Sequence, residues 1–562
     1  MMTMNTKISQ VIKELFDLDV DVKLTRPDPQ FGDYATNVAM QLAKPVGKNP
    51  REIAESIAEA LRQSGDFTEV TVAGPGFINM RVAAVGVANA LNGSWSDEYG
   101  GNTDGADKTV VVEYPSPNMA KPYSIGHLRP GNQGWAVKRL MEVTGWTVVT
   151  DNHLGDYGAP FGVWVVGFLQ YSSDEQLEKD GVYELGRVYI ETKKALKDEL
   201  EAGESILSRQ VQEWLLRLEN GDPQALEYSR RFNAISLAHI HSVMSRLGIS
   251  TDHELGEAFF APKGKHAVQT LLREGVAVQN PDGSIIVPLD DFGFDVPLLV
   301  QKSNGAALYA TTDLATILYR EETWNPDRVI YAVGSEQQFY FSQLFAMAKK
   351  LGIQTELVHL WFGMIDQVNE DGVREKMSSR KGVVLMEELL DMAEDKARAV
   401  VAGRDVSDDD VKKIAVGAIK FSDFAADRRT NILFDWDSIF ALTGFSGPYI
   451  QYAAVRVNKI LRDVGPVELP DDSYDYEAEK AVLLKVLEYP DVVRLAARDL
   501  EPHKVATYLY ELAREMNRYY EVTRVVDASD SERTARIAVL QKVSHVFTHG
   551  LSILGIDVPS QM

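Results

Sequence analysis

The sequence predicts a multidomain α/β protein: a small α+β domain at the amino end, a doubly wound parallel sheet interrupted by an insertion, and an all-α bundle at the carboxyl end. Three observations carry that reading. At 562 residues the chain exceeds what one hydrophobic core supports. Apolar runs such as TVVVEY from Thr109, GWTVVTDN, DRVIYAVG and LVHLWFGMI alternate with helical sequence, the pattern of a parallel sheet. Beyond about residue 400 that alternation stops and helical periodicity takes over.

In KNPREIAESIAEALRQ, Asn49 is placed to cap a helix, Pro50 occupies its first position, and Ile53, Ile57 and Leu61 recur at helical spacing. FTEVTVAGPGFINMRV then reads as strand, turn at Pro75-Gly76, and strand. These elements make up residues 1–95, and the glycine-rich polar stretch at 96–107 reads as a linker. The sheet occupies 108–382, with an insertion at about 163–300 whose charged sequence EQLEKDGVYELGRVYIETKKALKDELEAG is helical in character. A connecting helical region follows at 383–445. In the final part, 446–562, Val505, Leu509, Leu512, Met516 and Tyr519 form an apolar helical stripe.

Composition narrows the function. No apolar run approaches the roughly 18 residues of a membrane helix, and the amino end lacks the pattern of a secretory leader, so a cytoplasmic protein is expected. The absence of cysteine removes disulfides, thiolate catalysis and zinc–sulfur sites together. A formal charge of −24 opposes non-specific adhesion to nucleic acid. It leaves room for a nucleic-acid partner on local basic stripes, and it also fits adaptation to high salt.

The most informative stretch is VVVEYPSPNMAKPYSIGHLRPGNQGW, residues 110–135. A buried-looking strand passes through a proline-rich loop into Ser124-Ile125-Gly126-His127 and a helix start. Ligands bind beyond the carboxyl ends of parallel strands, and helix amino ends offer unpaired N–H groups to phosphate. Alone, His127 reads equally as a capping or core residue. Pro130 requires the helix to begin near His127 or to kink.

SPNMAKPYSIGHLR, DNHLGDYGAPFG, LYATTDLA, EKMSSRKG and FSGPYIQYAAVRV together resemble class I aminoacyl-tRNA synthetases, specifically the arginyl-tRNA synthetases. AGPGFINM near the amino end, and PHKVATYLYELA and GLSILGIDVPSQM near the other, extend the resemblance over essentially the whole chain. It implies a Rossmann-like class I catalytic domain, a tRNA-elbow-binding amino-terminal domain and a helical anticodon-binding domain. It also implies a monomer that uses ATP with Mg2+ to join L-arginine to its cognate tRNA through an arginyl-adenylate. The family usually requires tRNA even for activation.

By the same resemblance, Ser124, Gly126 and His127 stand in the family's H-I-G-H element, with a serine in place of the first histidine. Lys376, Met377, Ser378 and Ser379 begin the K-M-S-K-S element, in which Ser379 replaces the second lysine. Catalytic roles fall to His127, Lys121, Lys376, Arg380 and Lys381; Arg380, Lys381 and Lys121 are alternatives for the missing charge. Arginine-binding positions fall on Glu113, Asn118, Tyr309, Asp313 and Gln337, and on Glu257 through the weaker motif ELGEAFF. A site that pairs every donor of a guanidinium rejects analogues without proofreading, so no editing site is expected. For tRNA, Phe77 and Asn79 suit an unpaired elbow base, with Phe77 as a core residue the alternative. Tyr449, Tyr452, Arg456 and Lys459 form one candidate anticodon stripe, and Arg514 and Arg518 a second. Glu511 and Glu515 would make the second a salt-bridged face instead. The two serine departures leave a tRNA-binding regulator as a rival reading, and a synthetase for another amino acid as a third.

Overall fold

A computed structural model describes residues 4–203, 205–305, 308–368, 373–377, 384–470 and 474–562, and of Pro29, Ala159 and Lys376 the backbone alone. The chain forms two units. One comprises Met1–Gly100, Arg456–Pro490 and Glu511–Phe547; the other comprises Gly101–Val455, Asp491–Tyr510 and Thr548–Met562. Among the described residues no helix is long and apolar enough to cross a membrane.

In the first unit, helices Met4–Phe16, Val38–Val46, Pro50–Gln63 and Ala84–Ser94 accompany an antiparallel sheet in which Phe77–Val82 lies between Tyr34–Thr36 and Phe67–Ala73. The Asn49 side chain accepts from Arg51 N, Pro50 opens the helix, and Ile53, Ile57 and Leu61 are buried, so cap and apolar stripe act as the sequence implies. At the hairpin, Gly76 has φ +139° and a Cβ would lie 3.0 Å from Pro50 O, so only glycine fits. Further along this unit, buried Glu479 accepts from Tyr519 Oη at 3.0 Å and from Arg536 Nε at 3.2 Å.

The second unit contains a four-stranded parallel sheet in the order Glu356–His359, Arg328–Tyr331, Thr109–Glu113, Thr147–Asp151. Val110, Val111 and Val112 are fully buried, which is why the sequence reads as an unbroken apolar run rather than an alternating one. Glu113 registers with Asp151 on one side and Tyr331 on the other, so three polar side chains share the carboxyl edge. Helix Leu128–Val143 packs close because Gly134 faces Tyr114; a Cβ there would fall 2.4 Å from the Tyr114 ring. Pro130 lies in the first turn, where no intrahelical donor is lost, so the helix needs no kink.

Two expectations change. The insertion has the helices Ala159–Tyr171 to Glu257–Arg273, but it ends in an antiparallel sheet of Val278–Gln279, Ile285–Val287 and Leu298–Gln301. Strands this short between glycine, aspartate and proline leave little periodicity to read. Beyond residue 400, Ile432–Leu433 does form a strand, parallel to Ile365–Val368, and two residues are too few to announce themselves. The C-terminal helices are Gly447–Leu461, Lys480–Asp499, His503–Val522 and Asp530–Ile553, and the stripe from Val505 to Tyr519 is buried.

Buried Lys420 donates to Leu247 O at 2.7 Å and to Gly555 O at 2.9 Å, strapping together the segments that follow helices Pro223–Arg246 and Asp530–Ile553. Lys420→Met strands both carbonyls and is expected to cost about 1–3 kcal/mol of stability, read as a lower urea midpoint at unchanged slope. An unaltered midpoint would show that the strap contributes nothing.

Candidate active site

In the sheet order, connections leave Thr109–Glu113 towards one edge and Arg328–Tyr331 towards the other, so the cleft between their carboxyl ends is a topological switch point. The chain leaving Glu113 is held by many small contacts. Ser116 N donates to Asn152 Oδ1 at 3.1 Å, Met119 N to Gly155 O at 3.1 Å, Ala120 N to Ser236 Oγ at 2.9 Å and Tyr123 N to His239 Nε2 at 2.9 Å. Ser116 and Ala120 both take left-handed φ values of 53°, a strained conformation held by these neighbours.

Ser124 N donates to His127 Nδ1 at 3.1 Å, with Ser124 Oγ 3.3 Å from the same nitrogen. Nδ1 is thus an acceptor, and the neutral ring carries its proton on Nε2. Burial lowers the imidazole pKa to about 4, and the Lys121 cation adds to the effect. His127 therefore presents an uncharged N–H donor at neutral pH. Gly126 and Lys121 are exposed, and Lys121 Nζ stands 5.1 Å from the Tyr189 ring centre.

The two signature segments are joined by backbone. Ile125 N donates to Val384 O at 3.0 Å and Met386 N to Tyr123 O at 2.9 Å, while Met377 N donates to Ile365 O at 2.8 Å. Ser378, Ser379, Arg380 and Lys381 lie outside the described residues, as does the Lys376 side chain.

Carboxylates gather on the cleft. Tyr309 and Asp313 lie one turn apart on helix Tyr309–Trp324, as the spacing implies, with Tyr309 71% exposed and Asp313 half-buried. Tyr340 Oη donates to Asp313. Burial raises the Asp313 carboxyl to about 6, opposed in part by His153. Glu257, first residue of helix Glu257–Arg273, is raised to about 7 by burial, with Asp313 and Asp156 adding to the effect. The Tyr309 phenol is raised by burial and then by Glu257 and Asp313, so these three groups sense one another. Asn118 and Gln337 are exposed, on the loop after the first strand and on the turn Ser335–Gln337.

Glu113 differs from the others: its Oε2 already accepts from Arg320 at 2.7 Å, and Arg320 also reaches Asp151 at 2.8 Å, all three being buried. The cleft thus holds one carboxylate neutralised within the protein and two raised in pKa. Carboxylates in such an arrangement suit a planar cation with several donors. Sequence reasoning missed Arg320, Tyr340 and His153. His153 sits inside DNHLGDYGAPFG, and Arg320 lies two turns beyond Asp313 on its own helix, so both signals were present.

The RNA-facing expectations fare unevenly. In the first unit Phe77 is 41% exposed, which removes the core alternative, but Asn79 is buried between Ala35 and Thr71 of the neighbouring strands. Arg456, Lys459, Arg514 and Arg518 are exposed; Arg456 donates to Asn517 at 3.3 Å and lies 5.1 Å from the Tyr520 ring centre. Arg518 meets Glu515 at 3.5 Å, as the salt-bridged alternative foresees. In the second unit Tyr449 and Tyr452 are half-buried, and Tyr449 lies 5.7 Å from Tyr510, so these rings pack at least as much as they face solvent.

Comparison with known proteins agrees with this geometry. Residues 90–436 match the family model of the class I (R) tRNA synthetase catalytic domain, residues 450–562 the DALR anticodon binding domain, and residues 2–82 the arginyl tRNA synthetase N terminal domain. The arginine–tRNA ligase of Fusobacterium nucleatum is 31% identical over 98% of this chain and 96% of its own. That of Lactobacillus delbrueckii is 34% identical over 97% and 96%. The fold matches Thermus thermophilus arginyl-tRNA synthetase at a TM-score of 0.84, with 24% identity and 99% of each chain covered. Full-length identity above 30%, together with a family model that spans residues 90–436, means that the chain belongs to the arginyl-tRNA synthetase family of class I ligases, which charge tRNA with arginine through an aminoacyl-adenylate.

Proposed function

We propose that this chain's own cleft performs both steps: the arginine carboxylate attacks the α-phosphorus of ATP, pyrophosphate leaves, and a terminal ribose hydroxyl of the tRNA then displaces AMP. The observation that carries the reading is the grouping of Asp313 with Glu257 and with Glu113, the last residue of the strand whose loop leads to His127. Asp313, Glu257 and Tyr309 receive the guanidinium, and Asn118 and Gln337 the α-amino and carboxylate end, while Glu113, already paired with Arg320, acts through that buried pair. His127 Nε2 and Ser124 donate to the triphosphate, and Gly126 lets it approach. Lys121, Lys376, Arg380 and Lys381 stabilise charge on the departing pyrophosphate; losing one such donor costs about 2.7–4 kcal/mol of barrier. Mg2+ enters as the salt of ATP.

Residues 1–95, with Phe77, contact the tRNA elbow, and 446–562 the anticodon through Arg456, Lys459, Arg514 and Arg518. Residues 108–382 are the catalytic domain, 96–107 its linker and 383–445 the connecting region. The protein acts as a cytoplasmic monomer. The test is ATP–pyrophosphate exchange with arginine or lysine, with and without cognate tRNA. Exchange that requires arginine and tRNA together is expected. No exchange under any condition, with tRNA binding intact, would overturn the catalytic reading in favour of a tRNA-binding regulator.

A further inference from the structure

The insertion reaches the ATP-binding loop through one side chain. His239, on helix Pro223–Arg246, accepts from Tyr123 N at 2.9 Å through Nε2, so its proton resides on Nδ1. Nδ1 stands 3.8 Å from Glu387 Oε2, and Glu387 lies in the first turn of helix Met386–Val400, directly after the residues that pair with Tyr123 and Ile125. Tyr183 Oη, on helix Val182–Glu201, donates to that same oxygen at 2.5 Å, and its ring meets the imidazole edge-on with centres 5.7 Å apart. His239, Tyr183 and Glu387 share a cavity of about 660 Å³.

We propose that His239 is a positioning residue for adenylate formation: by accepting from Tyr123 N while facing Glu387, it holds the first signature in register with the segment leaving the second, and so places His127 and Gly126. The proposal rests on the catalytic reading above. Tyr123 is buried and its carbonyl accepts from Met386 N, so the segment is held on both its N–H and its C=O.

The charged and titratable groups lining the cavity with His239 are Glu178, Lys179, Asp180, Tyr183, Glu184, Arg187 and Glu387. Arg187 is paired with Glu184 and Glu191, and among the described residues Glu387 is the carboxylate that comes within 4.0 Å of the ring. Burial lowers the imidazole pKa, Glu387 opposes the shift, and the ring is neutral at pH 7. Acid places a proton on Nε2, turning the acceptor into a donor that confronts Tyr123 N–H.

His239→Leu is expected to lower the exchange kcat about tenfold or more while the KM for arginine stays within about twofold. In His239→Gln the amide oxygen reaches the same N–H without titrating, so activity is restored to within about threefold and the acid limb of the kcat profile disappears. Glu387→Gln removes the charge that favours protonation, so the limb moves to lower pH. A His239→Leu enzyme with the wild-type kcat, or an acid limb that persists in His239→Gln, would overturn the proposal. Hydrogen exchange at the amides of residues 123–125 separates its failure from that of the catalytic reading. Faster exchange in His239→Leu supports the positioning role even in a chain without ligase activity, and unchanged protection refutes it.

Discussion

Asp313→Asn raises the KM for arginine by roughly 30-fold to a few thousand-fold and leaves the KM for ATP nearly unchanged. Removing one partner of a buried charge pair costs about 2–5 kcal/mol, and each 1.4 kcal/mol is tenfold. The asparagine still accepts from Tyr340, so the helix and its neighbours keep their places and the loss falls on the ligand. A KM within about threefold of wild type would remove Asp313 from the guanidinium site. The same carboxyls set a pH dependence. Asp313 at about 6 and Glu257 at about 7 must be ionised to hold a cation, so arginine binding weakens as pH falls through 7 to 6. Their effect on the unliganded fold has the opposite sign. A carboxyl raised above its unfolded value binds protons more tightly in the folded state, so stability falls as pH rises from the ordinary values of 3.8 and 4.5 to about 6 and 7. Arginine relieves that penalty, and saturating arginine should therefore raise Tm more at pH 8 than at pH 5. An equal shift at both would mean that the ligand does not meet these carboxylates.

Asp423→Ala is expected to lower stability by about 3–5 kcal/mol, because it leaves a buried guanidinium without its counter-ion. Arg129 Nε lies 2.7 Å from Asp423 Oδ1, with both side chains essentially inaccessible, and Arg129 NH1 also reaches Gly363 O at 2.7 Å and Thr430 O at 3.0 Å. Arg129 is the second residue of the helix that starts after His127, so this pair ties the signature helix to the helix Asp408–Asp423 and to the segment before Ile365–Val368. The double variant Arg129→Met/Asp423→Leu should recover much of the loss, since hydrophobic replacement of a buried pair is often neutral or better. Denaturant midpoints of the single and double variants decide the matter. A single variant within about 1 kcal/mol of wild type would contradict the account.

Much of this was legible in the sequence, and for identifiable reasons. The central strands are buried on both faces and so spell themselves out as Val110, Val111 and Val112; Asn49 and Pro50 mark a helix start by chemistry that needs no tertiary partner. Ser124 to His127 reads as a helix start after a strand and loop because the three are contiguous, whereas its role comes only from the companion motifs of the resemblance. The failures share a cause, which is dependence on distant chain. Asn79 follows Phe77 on the same face of one strand, yet Phe77 stands exposed beside the turn whereas Asn79 is buried, with a strand on either side. Glu113 looked like a free ligand because Arg320 is 207 residues away. His239 carried no signal, since it meets Tyr123 across 116 residues.

The placing of the insertion between neighbouring strands also constrains synthesis. Thr109 N meets Asp327 Oδ2 across 218 residues, at the edge where Thr109–Glu113 pairs with Arg328–Tyr331. A ribosome adding about 5–20 residues per second needs roughly 10–40 s to deliver that partner. For that interval a strand with the apolar centre Val110, Val111 and Val112 waits in the nascent chain with one neighbour, Thr147–Asp151, and an unpaired edge on its other side. The arrangement that creates the switch-point cleft thus leaves a sheet edge unpaired for as long as the insertion takes to be translated.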